Sequence, residues 1–315
     1  MKKKIKKRFL MLVFMVLTGI FSLIFLNIFK NSIWDAKNNL NFIIEAGERT
    51  FIYSYHPREG MLNIISLPSD LVVETARGYG QYQLKNIFSL GQMQKYGGGE
   101  LLQISLQQFF SVPIDAYLVK TSGRSFKINR ESLEKGKLTS IFFCLVRGKC
   151  KTNLSWGDLL RLQSRIAKLK LNELKLINIE ETSLYKKDKL ADGTEISTIK
   201  QSLIDEFVQK YFSDKGFLDD GLKISILNAT NFSGLAKKAG GLLKNIGGEI
   251  VSSQDADEAS EDSVIYLSDK ENKESYTLKR ISKIFRIKKI EYSQEIRGDV
   301  CLVLGKEYLK IFYLK

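Results

Sequence analysis

The chain has 315 residues, 44% hydrophobic and 27% charged, with a formal net charge of +14 and three prolines. That balance excludes a disordered polymer and leaves enough chain for two domains of ordinary size. Three cysteines exclude a disulfide scaffold, and a single histidine with no Cys/His cluster argues against a zinc site. The basic surplus suits an anionic neighbour such as lipid headgroups or an acidic wall polymer, and a Lys-rich background composition accounts for it equally well. No aromatic-basic platform appears, so no nucleic acid partner is expected.

Lys2, Lys3, Lys4, Lys6, Lys7 and Arg8 form a basic tail, after which residues 9–29 carry no charge. At the helical rise that run spans roughly 30 Å, the thickness of a bilayer's hydrocarbon core. The positive-inside rule places residues 1–8 in the cytoplasm and everything after about Lys30 outside, giving a single-pass signal-anchor in the cytoplasmic membrane. A cleavable signal peptide fits less well, because the run is long and no A-x-A pattern follows. A core helix fits poorly, because the run is apolar on every face. Trp34 reads as an interfacial aromatic, and residues 30–48 as a linker or short helix.

Residues 49–55 and 62–67 are β-rich runs joined by His56-Pro57-Arg58-Glu59-Gly60, the pattern of a hairpin. His56 beside that turn is expected to be solvated rather than catalytic. A loop with Gly78 and Gly80 follows. Tyr96-Gly97-Gly98-Gly99 then precedes a helix over 100–110, with Leu101, Leu102, Ile104, Leu106 and Phe109 at mostly helical spacing. The glycine run lacks both the Lys-Ser/Thr of a phosphate loop and G-x-G-x-x-G spacing. It reads as a turn entering a helix, whose free amides still favour an anion.

Cys144 and Cys150 bracket Leu-Val-Arg-Gly-Lys; a bridge in an oxidising exterior and two unpaired thiols both remain open. Cys301 lies in an apolar strand and reads as core. Residues 154–215 are expected to be mostly helical, with a stripe of Leu159, Leu160, Leu162, Ile166, Leu169 and Leu171. Asp158 suits the positive end of that helix. The basic face (Arg161, Arg165, Lys168, Lys170) reads as solvated in preference to resting on headgroups. Asp192-Gly193 marks a turn between strands, and 199–212 a further helix.

From residue 222 a compact unit begins: a strand over 222–227, an Asn-rich turn, and a helix over 234–246 with Ser233 as N-cap and Gly247-Gly248 as its stop. Strands over 249–253, 263–267, 288–292 and 299–304 and a helix over 272–285 complete it. The carboxylates Asp255, Asp257, Glu258, Glu261 and Asp262 lack the loop glycine and final glutamate of an EF-hand and read as solvated.

Four segments in order and spacing resemble the LytR/CpsA/Psr family over about residues 49–120. They are Ile64-Ile65-Ser66-Leu67-Pro68-Ser69-Asp70, Gln83-Leu84-Lys85-Asn86-Ile87-Phe88-Ser89-Leu90-Gly91, Gly98-Gly99-Glu100 and Val112-Pro113-Ile114-Asp115-Ala116-Tyr117. The resemblance implies a membrane-anchored, extracytoplasmic α/β/α domain. Such domains transfer glycopolymers from a polyprenyl-pyrophosphate carrier to the cell wall, usually with Mg²⁺. This chain departs from the pattern where that chemistry sits. Ser69 replaces the arginine of S-I-P-R-D, Gln83 replaces the lysine of K-I-N-x-A-Y, and the later R-x-R and D-x-x-R-x-x-R-Q run has no clear counterpart. A neutral serine cannot supply the bidentate hydrogen bonds of guanidinium, and losing one such donor typically costs on the order of 3 kcal/mol of transition-state stabilisation.

Ile224-Ser225-Ile226-Leu227-Asn228-Ala229-Thr230, Ser233-Gly234-Leu235-Ala236 and Val303-Leu304-Gly305-Lys306 resemble the LytR C-terminal domain, with Ala229 where its pattern has glycine. That resemblance implies a small α/β module for wall or partner binding and brings no catalytic residue.

The expected fold class is therefore α/β. A transmembrane helix (9–29) and linker (30–48) precede a degenerate LytR/CpsA/Psr-like domain (49–215) and a LytR C-terminal domain (222–308). The expected function is a non-catalytic binder or scaffold for an envelope glycopolymer or its assembly partners, without a cofactor. The alternative is a working phosphotransferase with Asp70 on Mg²⁺ and Arg77 or Lys85 on the pyrophosphate of a polyprenyl-linked polymer. A third expectation is a purely structural element whose old cleft is filled by side chains.

Overall fold

The computed structural model describes residues 11, 14, 15, 18, 19, 32–46, 49–121, 144–189, 193 and 195–314. The first unit is built on three antiparallel strands, β1 (Leu40–Glu45), β2 (Arg49–His56) and β3 (Met61–Pro68). A small hairpin follows, β4 (Val72–Thr75) with β5 (Gly80–Gln83), and then helices α1 (Leu84–Met93) and α2 (Gly98–Phe110). β6 (Ala116–Lys120) lies parallel to β1, and β7 (Cys150–Thr152) pairs antiparallel with β6. After α3 (Trp156–Ile166), β8 (Leu174–Asn178) runs parallel to β3. A second hairpin, β9 (Tyr185–Lys189) with β10 (Glu195–Ile199), leads into α4 (Ile204–Phe212) and α5 (Lys215–Asp220). The main sheet has the order β7-β6-β1-β2-β3-β8.

Side chains on a strand alternate between faces, and both faces of this sheet are apolar. Phe42, Ile44, Tyr53, Leu62 and Ile64 point one way, into a core closed by Trp34 and by Leu159, Leu162 and Ile166 of α3. Ile43, Ile52, Ile65 and Leu67 point the other way, under α1 and α2. The architecture is mixed α/β with helices on both faces of the sheet.

Several expectations change. Residues 40–45, read as linker, form β1 in the middle of the sheet, and their apolar side chains serve both cores. Trp34 is 2% exposed, its indole N–H donating to Asn38 O (2.7 Å), so it is a core residue and not an interfacial one. His56 is buried rather than solvated: Asn39 Nδ2 approaches Nδ1 at 2.9 Å and Nε2 lies 3.1 Å from Tyr211 O. Burial holds its pKa below the ordinary value. Residues 154–215 hold three strands besides their helices, because the apolar runs there are short and β8 draws its partner from β3.

Most of the 9–29 span lies outside the described residues, as does Asp192 of the expected turn. Met11, Phe14, Met15, Thr18 and Gly19 are helical and exposed. Among the described residues no helix is long and apolar enough to cross a membrane. Cys144 and Cys150 are joined by a disulfide, and Cys301 is a buried free thiol.

The second unit comprises β11 (Lys223–Asn228), α6 (Leu235–Asn245), β12 (Glu249–Asp255), β13 (Val264–Leu267), α7 (Tyr276–Phe285), β14 (Ile290–Tyr292), β15 (Val300–Leu304) and α8 (Lys306–Phe312). Its sheet order is β12-β11-β15-β13-β14. The strands and helices read from the sequence are all present, and α8 is additional. Ser233 is not the cap of α6; Gly234 takes that place with φ +75° and no side-chain bond. The stop does fall at Gly247 and Gly248, whose amides bond Lys244 O (3.0 Å) and Leu243 O (2.9 Å).

The two units share one apolar core that runs from β3 to α8. At their junction Arg280 of α7 makes a bidentate pair with Asp115, at 2.5 and 3.1 Å, with both side chains buried. Burial opposes the Asp115 charge, yet Arg280 and Lys283 overcome it and hold the carboxyl below its ordinary value. Tyr276 donates its hydroxyl to Asp214 beside them.

Candidate functional site

Asp70 sits in the turn that follows β3. Its Oδ2 accepts a hydrogen bond from Ser197 Oγ (2.8 Å), and Ser197 lies 2.9 Å from the Tyr185 hydroxyl. The parallel bridge between Leu71 and Ser197 brings β10 to this turn. The carboxylate therefore rests on a hydroxyl pair, and among the described residues no cation forms an ion pair with it.

Lys85 begins α1 beside the same turn, since its backbone N–H donates to Ser69 O (3.0 Å). Its side chain is exposed and makes no hydrogen bond or ion pair with the described residues. Arg77 lies elsewhere. It adopts φ +64° between β4 and β5, and its Nη1 donates to Lys310 O (2.8 Å) and Ile311 O (3.0 Å) at the end of α8. Its guanidinium also stacks on Tyr96, 4.2 Å from the ring centroid. Of the three candidates, Asp70 and Lys85 share a turn, and Arg77 is committed to the second unit. Ser69 and Gln83, which stand where the family resemblance places arginine and lysine, bring no charge to the turn.

Mg²⁺ takes one or two carboxylates together with substrate phosphates in octahedral geometry. Asp70 is a lone carboxylate with one oxygen already bonded, and no group of three His, Cys, Asp or Glu converges among the described residues. One carboxylate is the least that Mg²⁺ takes beside substrate phosphates, and Asp70 is the residue that would hold it here.

The glycine run before α2 serves packing. A Cβ on Gly99 would lie 2.0 Å from the Tyr117 ring, and one on Gly98 would lie 2.3 Å from Phe88 O. The helix N-terminus is covered by its own acid: the Glu100 carboxylate lies against Gly97 and accepts from the Tyr117 hydroxyl (2.6 Å). Its charge complements the helix dipole where the sequence left room for an external anion.

A cleft of about 680 Å³ lies between the units, bounded by the β4–β5 hairpin, the end of α2, β10, α6 and α8. Pockets of that size hold small molecules or polymer segments. Half-buried Phe109, Phe232 and Tyr313 line it, and Lys238 Nζ lies 5.2 and 5.3 Å from the Phe232 and Tyr313 ring centroids. Glu74, Gln81 and Gln201 offer exposed polar groups at its wall. Rings flanked by amides and by the cations Arg77 and Lys238 are groups that hold an anionic ligand. Sequence reading missed this cleft because its walls come from segments more than 200 residues apart, such as Gln108 and Phe312, which share a 2.8 Å hydrogen bond.

Residues 221–308 match the family model described as LytR cell envelope-related transcriptional attenuator. The match falls on the C-terminal unit, the part of the chain whose sequence resembles the LytR C-terminal domain. No curated protein matches the chain. Among solved structures, a transcriptional regulator from Enterococcus faecalis is 14% identical at TM-score 0.42, covering 68% of this chain and 90% of that one. The transcriptional regulator YvhJ from Bacillus subtilis is 11% identical at TM-score 0.41, covering 56% and 97%. The LytR-CPS2A-Psr family protein YwtF (TagT), solved with bound octaprenyl pyrophosphate lipid, is 14% identical at TM-score 0.38, covering 55% and 89%.

Proposed function

We propose that this protein is a membrane-anchored, extracytoplasmic envelope protein that binds an anionic envelope glycopolymer, or a partner in its assembly, without transferring it. The observation that carries this reading is the commitment of Arg77 to Lys310 O and Ile311 O, with no ion pair to Asp70 among the described residues. Together with Ser69 and Gln83, it leaves the Asp70 turn poor in the cations that a diphosphate requires. Placement outside the membrane is supported by the basic tail before residues 9–29 and by the Cys144–Cys150 bond, which an oxidising compartment favours. The LytR C-terminal domain supports an envelope role.

The binding surface in this reading is the cleft between the units, where Lys238 meets the acidic polymer and the rings of Phe109, Phe232 and Tyr313 pack on its sugar faces. The test is cosedimentation of the full chain, in detergent, with cell-wall sacculi that carry or lack anionic glycopolymer. Retention by the polymer-bearing sacculi alone, weakened by Lys238→Glu, is the expected result. Equal retention on both, unchanged by Lys238→Glu, contradicts it.

A further inference from the structure

The described chain resumes after the apolar run at Ser32, and Ser32–Trp34 is fastened to α3. Asp158 accepts from Ile33 N and Trp34 N, each at 3.1 Å, and from the Ser32 hydroxyl. Arg161 donates to Ser32 Oγ (2.8 Å) and Trp34 O (2.7 Å). Asp158 is completely buried in this clamp. Ser32 stands three residues beyond Phe29, the last residue of the apolar run, and three extended residues reach at most roughly 11 Å. The headgroup layer on each side of a bilayer is about 5–8 Å deep. An anchor at residues 9–29 thus holds α3 against the membrane surface.

The outward face of α3 has a composition suited to that place. Leu159, Leu162 and Ile166 fill the core, while Trp156 and Leu160, one turn apart, are 46% and 50% exposed. Arg165 is exposed in the last turn of the helix, Lys168 and Lys170 just past it, and Lys149 and Lys151 before it. Tryptophan and leucine flanked by cations are the composition of an interfacial helix. Single exposed apolar side chains are ordinary on any surface. What sets this pair apart is the clamp that ties its helix to the end of the apolar run.

We infer that the α3 face carrying Trp156 and Leu160 lies in the headgroup region of the anionic membrane that holds the anchor, and so fixes the tilt of both units. The inference rests on reading residues 9–29 as a membrane span. Its basic flank faces the acidic headgroups, and the buried Trp34 leaves Trp156 as the exposed member of the chain's two tryptophans.

The experiment uses the full chain reconstituted in vesicles of phosphatidylethanolamine and phosphatidylglycerol, the latter with brominated acyl chains. Alkaline carbonate is applied first, and tryptophan emission is then compared between wild type and Trp156→Phe. The expected result is retention through carbonate, a larger loss of emission in wild type than in Trp156→Phe, and restoration of that loss by Leu160→Trp in the Trp156→Phe background. Retention with equal quenching in wild type and Trp156→Phe overturns the inference while leaving the anchor in place. Release by carbonate overturns the anchor, and the inference with it.

Discussion

At the residue scale, the Asp115–Arg280 pair is a buried ion pair that joins the two units. Both side chains are buried, so removing one leaves the other charged without its main partner. Arg280→Met is expected to destabilise the protein by about 3–5 kcal/mol in urea unfolding. Glu45 gives a pH-dependent counterpart. Burial pushes its carboxyl from 4.5 up to about 7, and Oε2 has no hydrogen-bond partner among the described residues. Between those values the folded chain retains a proton that the unfolded chain has released. Stability therefore falls as pH rises from about 4.5 to about 7 and levels off above. Glu45→Gln is expected to remove that decline and to exceed wild type at about pH 8, read as urea midpoints across the window.

At the element scale, α3 depends on Asp158, which closes a capping box with Ser155 while clamping Ser32–Trp34. Asp158→Ala strands those buried donors and removes the cap, at an expected cost of about 3 kcal/mol. Limited proteolysis should then cut near residue 32, which wild type resists. The Cys144–Cys150 bond closes a short loop, so Cys144→Ser with Cys150→Ser should cost about 2 kcal/mol on the chain-entropy account, measured by urea unfolding.

The elements differ in how plainly the sequence announces them. The β2–β3 hairpin, α2 and the C-terminal unit were legible because turn residues bracket runs of clear period. β1 was not, because Leu40, Phe42, Ile43 and Ile44 face two cores at once and follow no single alternation. Asp70 was legible as a candidate, but its hydroxyl partner Ser197 is 127 residues distant in sequence. Arg77 offered itself as a substitute cation only while α8, the helix it holds, was unseen. Arg280 stood out as a charge among Leu278, Ile281 and Ile284, yet its partner lies 165 positions away.

At the scale of the whole molecule, the shared core, the Asp115–Arg280 pair and the bonds from Arg77 and Gln108 to α8 join the units into one body. Urea unfolding followed by far-ultraviolet dichroism and by tryptophan emission should give a single coincident transition. Two separated transitions would mean that the junction contributes little. The same junction engages Arg77 and forms the cleft, so the fold that unites the units also shapes the account of binding without transfer. The most direct measurement is transfer of a polyprenyl-pyrophosphate-linked glycopolymer by the full chain with Mg²⁺, beside Asp70→Ala. Polymer bound by both proteins, with no transfer above the variant's background, is the result predicted here. Mg²⁺-dependent transfer that Asp70→Ala abolishes would contradict it.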